Sequence, residues 1–242
     1  MISNSQTKLI SSLAQKKHRD SSGLFVAEGP KVISELLEEG VKLKWLFSTQ
    51  NFIGEEENHF LVSETGLKKI SFLKTPNSSL AVFEMPSQRE IEDSGLMVAL
   101  DAVRDPGNLG TIIRLCDWFG VQQLLCSLDT VDCYNPKVVQ ATMGSLARVS
   151  IQYVDLATIL QKSELPVYGG FMEGGNLYSE KLSSEGIIVV GNEANGISDS
   201  IAKLITKKIT IPRYGKVQRT ESLNVATATA ILLSEFRRTI GM

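Results

Sequence analysis

The stretch Ile209–Met242, ITIPRYGKVQRTESLNVATATAILLSEFRRTIGM, decides how the rest of the chain is read. A short apolar strand (Ile209 to Ile211) ends at Pro212, and a polar loop containing one glycine follows. Ser222 stands where a helix N-cap is expected, ahead of a long run free of Gly and Pro. From Val225 to Leu233 that run is apolar or small on every face, with Ala226, Thr227, Ala228, Thr229, Ala230 and Ile231 in succession. A helix without a wholly polar face is buried on several sides. This one is therefore expected to be surrounded by the rest of its domain or by a second subunit.

Working back from it, the chain from Leu96 alternates regularly. LMVAL reads as a buried strand, Asn108 to Phe119 as a helix closed by Gly120, and LLCS as a strand. Pro136 to Arg148 reads as a helix, Val149 to Val154 as a strand and Leu156 to Lys162 as a helix. VYGGF and IIVVG are further strands, with helices expected after Asn176 and Ser198. Alternating strands and helices predict an α/β domain with a mostly parallel sheet covered on both faces. Ligands of such sheets gather at the carboxyl ends of the strands. The loops after Leu100, Val190 and Ile211 are therefore the candidate site.

Farther back lies a smaller α/β region. Residues 4 to 20 form a polar helix candidate, and GLFVAEGPKVISELLEEGVKLKWLFST reads as strand, helix and strand. Pro30 suits an early helix position and Gly40 a helix end. Phe60 to Val62, Thr65 to Ile70 and Ser79 to Glu84 supply another strand, helix and strand. PSQREIEDSG, residues 86 to 95, has the composition of a linker. The expected domains are 1–88 and 96–242.

Composition narrows the classes. A hydrophobic share of 43% supports a packed core and excludes general disorder. The formal net charge of −2 excludes a globally basic nucleic-acid binder but leaves room for a local patch. Cys116, Cys126 and Cys133 are odd in number and lack metal spacing, which reads as a reduced, cytoplasmic protein. His18 and His59 are far from the cysteines in sequence, so no metal site is expected. There is no apolar signal-peptide core near Met1 and no run as long as a membrane span.

Within the candidate loops, LDAVRDPGNLGTIIRLCDWFG turns at Pro106 and Gly107, with Asn108 as N-cap. Ile112, Leu115, Cys116 and Phe119 make an apolar face, and Arg114 lies well off it, free for a ligand or for water. In VVGNEANGIS, Gly191 and Gly196 flank Asn192, Glu193 and Asn195, so that backbone can approach a ligand closely; a plain turn capped by Ser198 is the alternative. Ser222 and Asn224 serve either as caps or as site groups. No loop carries a dinucleotide fingerprint or a phosphate-binding Walker sequence, which counts against nicotinamide enzymes and nucleoside triphosphatases. In the front region, Lys16, Lys17 and Arg19, with Lys31, read either as solvated surface or as phosphate contacts positioning an RNA.

Together the loops resemble the three motifs of the SpoU/TrmH family of SPOUT RNA methyltransferases: DPGNLGTIIR, then IVVGNEANGIS, then ITIPR with SLNVATATAI. Each match is weak alone, but three in this order, each after a strand, are specific. The front region, notably FVAEGPKVISELLEEG, is similar to the L30e-like substrate-binding domain found ahead of many such enzymes. The resemblance implies a trefoil-knotted C-terminal domain, an exception to the rule against knots. It implies S-adenosylmethionine as cofactor and methyl transfer to a ribose 2′-hydroxyl of RNA, ribosomal RNA more than transfer RNA. It also implies a homodimer with the site at its interface.

Carried over by position, the resemblance gives Asn108, Arg114, Glu193, Ser222 and Asn224 as catalytic residues. Cofactor contacts, largely through backbone, fall at Gly169, Gly170, Gly191, Asn192, Glu193, Gly196, Ile211, Pro212, Leu223 and Asn224. Arg114 matches an arginine proposed in the family as the base; a guanidinium normally stays protonated, so orienting the hydroxyl and its phosphate is the more economical role. The loop RYGKVQRTE is longer than in many relatives, and its Lys216 and Arg219 are either an RNA contact or a surface variation. A non-catalytic RNA-binding or ribosome-assembly factor is the competing class, and a different α/β enzyme with a nucleotide cofactor is a second.

Overall fold

The computed structural model describes residues 2–51, 58–215, 217 and 222–238, which form two compact units. Lys216 and Arg219 lie outside the described residues.

The first unit contains residues 1–87 and, unexpectedly, residues 132–148. It begins with helices α1 (Asn4–Ser12) and α2 (Lys16–Ser22), a break where the sequence suggests one helix. Ser3 makes a capping box with Gln6 at the start of α1. Strand β1 (Leu24–Glu28), helix α3 (Pro30–Glu38), strands β2 (Leu43–Ser48) and β3 (His59–Leu61), helix α4 (Glu64–Lys68) and strand β4 (Ser79–Glu84) follow. The sheet order is β1-β4-β2-β3, antiparallel except for the β2/β3 pair. Its core includes Ile10, Leu13, Leu24, Val26, Phe47, Leu67, Leu80 and Val82.

The second unit contains residues 88–131 and 149–242. Strand β5 (Leu96–Leu100) leads into α5 (Pro106–Trp118) and β6 (Gln123–Ser127). The chain then enters the first unit as α6 (Pro136–Thr142) and a 3-10 turn at Ser145–Ala147. It returns to the second unit with β7 (Ser150–Val154), α7 (Leu156–Lys162), β8 (Val167–Asn176) and β9 (Gly186–Val190). The chain then continues through α8 (Asp199–Ala202), β10 (Lys207–Thr210) and α9 (Val225–Arg238).

The expected helix from Pro136 to Arg148 is broken at Met143, whose φ of 53° is left-handed. Gly144 follows with φ 100°, and a Cβ there would lie 2.5 Å from Glu35. The segment can lie this close to α3 only with glycine at that point.

The six-stranded sheet runs β10-β8-β9-β5-β6-β7 and every pairing is parallel. From β5 the chain builds outward through β6 and β7, then crosses to add β8, β9 and β10 on the other side. The crossover point lies between β5 and β9, where an open parallel sheet leaves a crevice at its carboxyl edge. The β5 and β9 strands and the centre of β6 (Leu124 to Cys126) are apolar and buried on both faces, as a sheet covered on both sides requires. No helix follows Asn176: its Oδ1 accepts from the Tyr178 N–H at 3.0 Å and turns the chain instead.

Candidate functional site

The loops that follow β5, β9 and β10 meet at the carboxyl edge of the second sheet. Their local chemistry explains why. Asp105, rather than Asn108, caps α5, accepting the Asn108 N–H at 2.8 Å. Asn108 therefore sits in the first helical turn with its side chain available. At α9 the cap is Asn224, not Ser222: its Oδ1 accepts from the N–H groups of Ala226 and Thr227 at 3.0 and 3.2 Å. In both cases the sequence reading placed the cap on the wrong candidate, because two good capping residues stood within three positions of each other.

The freed Asn108 amide joins the three loops. Its Nδ2 donates to Glu193 Oε1 at 2.8 Å, and its Oδ1 accepts from Asn224 Nδ2 at 2.9 Å. Asn224 thus caps a helix with its oxygen and holds Asn108 with its nitrogen.

The loop between β9 and α8 is closed on itself. Asn192 and Gly196 exchange N–H···O bonds of 2.9 Å each. Gly191 lies so close to the far side of the loop that a Cβ would come within 2.1 Å of the Gly196 carbonyl carbon. The Asn192 side chain is fully engaged: it donates to the Ala102 carbonyl and accepts from Ala194 and Asn195. Asn192 thus shapes the loop from within, through both its backbone and its side chain.

Beneath the loops after β9 and β10 opens a cavity of about 820 Å³, within the range of small-molecule sites. Gly170, Gly191, Asn192, Glu193, Gly196, Ile211, Pro212, Ser222 and Leu223 line it. Gly169 does not: it stays in β8, where a Cβ would lie 2.5 Å from Phe171 and 3.0 Å from Ile205, so packing explains that glycine. Asn224 also lies outside the lining, as the cap and partner of Asn108. The sequence reading missed Phe171, Met172, Tyr214, Val217, Ala228 and Leu232. The first two come from an excursion in β8, whose pairing with β10 jumps from Gly169 opposite Lys208 to Gly175 opposite Ile209. The VYGGFMEGG glycines were the only signal for it.

Arg114 is exposed on α5, and has no hydrogen bond or ion pair among the described residues. One turn on, Trp118 is 84% exposed, so the two share an outward stripe of the helix. Tyr214 and Leu223, at 82% and 48% exposed, stand at the cavity mouth.

In the first unit, Arg19 needs correcting as a phosphate contact. It is 1% exposed, donates through Nε to Asp132 at 2.9 Å and through Nη2 to the same oxygen, and reaches the carbonyls of Leu13 and Ala14. A guanidinium so enclosed is part of the core. Lys17 and Lys31 are exposed, and Lys16 is exposed but paired with Asp20 at 2.7 Å. Among the described residues no cluster of His, Cys, Asp or Glu could hold a metal, and no helix is long and apolar enough to cross a membrane. The three cysteines are buried and none forms a disulfide among the described residues.

Comparison with known proteins agrees with this layout. Residues 95–234 match the model of the SpoU rRNA methylase family, and residues 4–81 match an MRM3-like substrate-binding domain. The chain is 30% identical to a Bacillus subtilis 23S rRNA (guanosine(2553)-2'-O)-methyltransferase, over 97% of this chain and 96% of that protein. An RNA methyltransferase structure assigned to the TrmH family, from Porphyromonas gingivalis, superposes with a TM-score of 0.90 at 39% identity, covering 99% of both chains. An AdoMet-bound rRNA methyltransferase from Sinorhizobium meliloti superposes at 0.87 and 32% identity, covering 99% of this chain and 97% of that one.

Proposed function

Because the chain belongs to the SpoU rRNA methylase family, we propose that it methylates a ribose 2′-hydroxyl of ribosomal RNA, using S-adenosylmethionine. The observation that carries this reading is the cavity between the loops after β9 and β10, with Glu193 of the first and Asn224 of the second tied together by the Asn108 amide at the start of α5.

The cavity suits the cofactor. Its volume accommodates an adenosyl and a methionyl group, its walls include Ile211, Leu223 and Leu232, and the backbone of residues 191–197 and 209–215 offers N–H and C=O groups to an adenine edge. Bound there, S-adenosylmethionine supplies an electrophilic methyl group. The protein's part is to hold a ribose hydroxyl in line with it, and positioning of two reactants alone accounts for large accelerations. Asn108 and Asn224 fix Glu193 at the cavity wall, where its carboxylate faces any cation bound beside it. Arg114 orients the reacting nucleotide through its phosphate, since a planar guanidinium binds phosphate oxygens in pairs.

A homodimer belongs to the same reading. Trp118 on α5, with half-buried Leu115 beside it and the small outward side chains Thr227 and Ala230 on the neighbouring α9, offers an apolar strip to a second copy. A two-fold pairing through that strip buries Trp118 and brings Arg114, one turn away, to the seam. In the first unit, Lys17 and Lys31 contact RNA phosphates, with Lys16 held partly by Asp20.

Calorimetry with S-adenosylmethionine and mapping of ribose methylation on ribosomal RNA in a deletion strain, with the purified protein added back, test the proposal. Cofactor binding and one restored methylated ribose are the expected results. Absence of cofactor binding favours a non-catalytic RNA-binding factor.

A further inference from the structure

We infer that Asp101 is a positioning residue for the cofactor: its carboxylate, with the bent backbone of Ala102, holds the loop of residues 191–198 in its ligand-receiving shape. This rests on the reading of that loop as a cofactor wall.

Asp101 directly follows β5 and is 7% exposed. Its N–H donates to the carbonyl of Val190, the last residue of β9, at 2.9 Å. Its Oδ2 accepts from the N–H of Ser198 at 2.7 Å. One residue thus grips the chain where the loop departs and again where it ends. Ala102 grips the loop in between: its carbonyl accepts from Asn192 Nδ2 at 2.7 Å, while its own N–H donates to Ser127 Oγ at 2.9 Å.

Two features separate this corner from an ordinary strand end. Ala102 has φ 60°, a left-handed conformation that a residue with a Cβ adopts only under constraint. Asp101 also puts a carboxylate where desolvation is expensive, and it makes there a short bond to a backbone amide. Such a bond is stronger than one from a neutral acceptor, and it acts on Ser198, directly beyond the cavity-lining Ile197. Motif readings centred on Asn108 and Glu193 pass over Asp101, because its side chain touches no cavity space.

The test uses the full-length protein with three variants. Asp101→Ala removes the acceptor, whereas Asp101→Asn keeps a carbonyl oxygen for the Ser198 amide. Ser198→Pro removes the donor from the other side, and the Ser198 φ of −63° already suits proline. Calorimetry with S-adenosylmethionine, amide exchange over residues 192–198 and binding to ribosomal RNA are measured on each. Expected are a roughly tenfold to hundredfold loss of cofactor affinity in Asp101→Ala and Ser198→Pro, faster exchange in the loop, and unchanged RNA affinity. Asp101→Asn is expected to stay within about threefold of wild type. At saturating cofactor the turnover of all three approaches wild type, so the defect lies in KM rather than kcat. Cofactor affinity within about twofold of wild type in either Asp101→Ala or Ser198→Pro overturns the role. If Asp101→Ala does not fold, Ser198→Pro decides alone. A wild-type protein that takes up no S-adenosylmethionine sinks the functional reading and this role with it, whereas normal wild-type uptake with unaffected variants sinks only the role of Asp101.

Discussion

Each unit holds a notable arginine and glutamate, and the two units treat them oppositely. In the first unit Arg19 and Glu28 are closed in. Arg19 meets Asp132, and Glu28 accepts from Ser71 Oγ at 2.5 Å and from the Phe72 N–H at 2.8 Å. In the second unit Arg114 and Glu193 are exposed, and among the described residues Glu193 is held by the Asn108 amide alone. Residue type does not distinguish these fates. The partner does: Asp132 lies 113 positions from Arg19, and its segment belongs to the first unit although the chain enters the second unit on both sides of it. Arg19 becomes core where it meets a distant counter-charge and Glu28 where Ser71 and Phe72 supply donors, whereas Arg114 and Glu193 stay at the surface, available to a substrate.

The sharpest way to break this contrast is Arg19→Ala. It leaves Asp132 without its counter-charge and two carbonyls without donors, so a loss of about 3–5 kcal/mol is expected, read from urea unfolding. Loss of RNA affinity without loss of stability would return Arg19 to the surface. Arg114→Ala should do the reverse: turnover falls about a hundredfold or more, while the urea midpoint and cofactor affinity hold. Wild-type methyl transfer with unchanged RNA affinity would remove Arg114 from the mechanism.

Trp118→Arg sharpens the second unit further. Because Trp118 is 84% exposed, the fold should survive, while sedimentation at micromolar concentration shifts from dimer to monomer. A monomeric wild type would undo the interface. Ala226 is a poorer probe, since it is only 5% exposed and a bulky residue there disrupts the chain's own packing.

The smallest effect is expected at Glu28. Burial raises its carboxyl above the ordinary value against the opposing bonds from Ser71 and Phe72. A raised value in the folded state means that the proton is bound more tightly there. The associated stability is present below the ordinary carboxylate range and is lost as pH rises through the raised value. Glu28→Gln keeps an acceptor for Phe72 and removes the ionisation. It should therefore match wild type near pH 4 and exceed it by up to about 1 kcal/mol at pH 7. Urea midpoints at the two pH values check this, and a variant less stable at pH 7 contradicts it.

Much of the fold is visible in the chain because it depends on local pattern. Leu96–Leu100, Leu156–Lys162 and Ser79–Glu84 have the same limits in the sequence reading and in the structure. The all-parallel sheet follows from strand–helix alternation. What escapes the sequence is decided at a distance or by one backbone angle. Asp105 and Asn224 win the caps because the loops approach from particular directions. Met143 turns left-handed just before Gly144, where α3 leaves no room for a Cβ. The β8 excursion exists because β10 pairs on both sides of it. At the site, the loops and their polar residues are readable as candidates. The hydrogen bonds that join Asn108 to Glu193 and Asn224 are not, since they span 85 and 116 positions.

The membership of residues 132–148 in the first unit has a consequence for how the protein is made. A nascent chain of 87 residues holds all the strands of the first sheet but neither Asp132 for Arg19 nor Tyr134 for Phe25. Domains usually complete folding in the order of synthesis. Here the first must wait on the ribosome, its basic group unneutralised and part of β1 uncovered, until residues 88–131 of the second and then 132–148 have been translated.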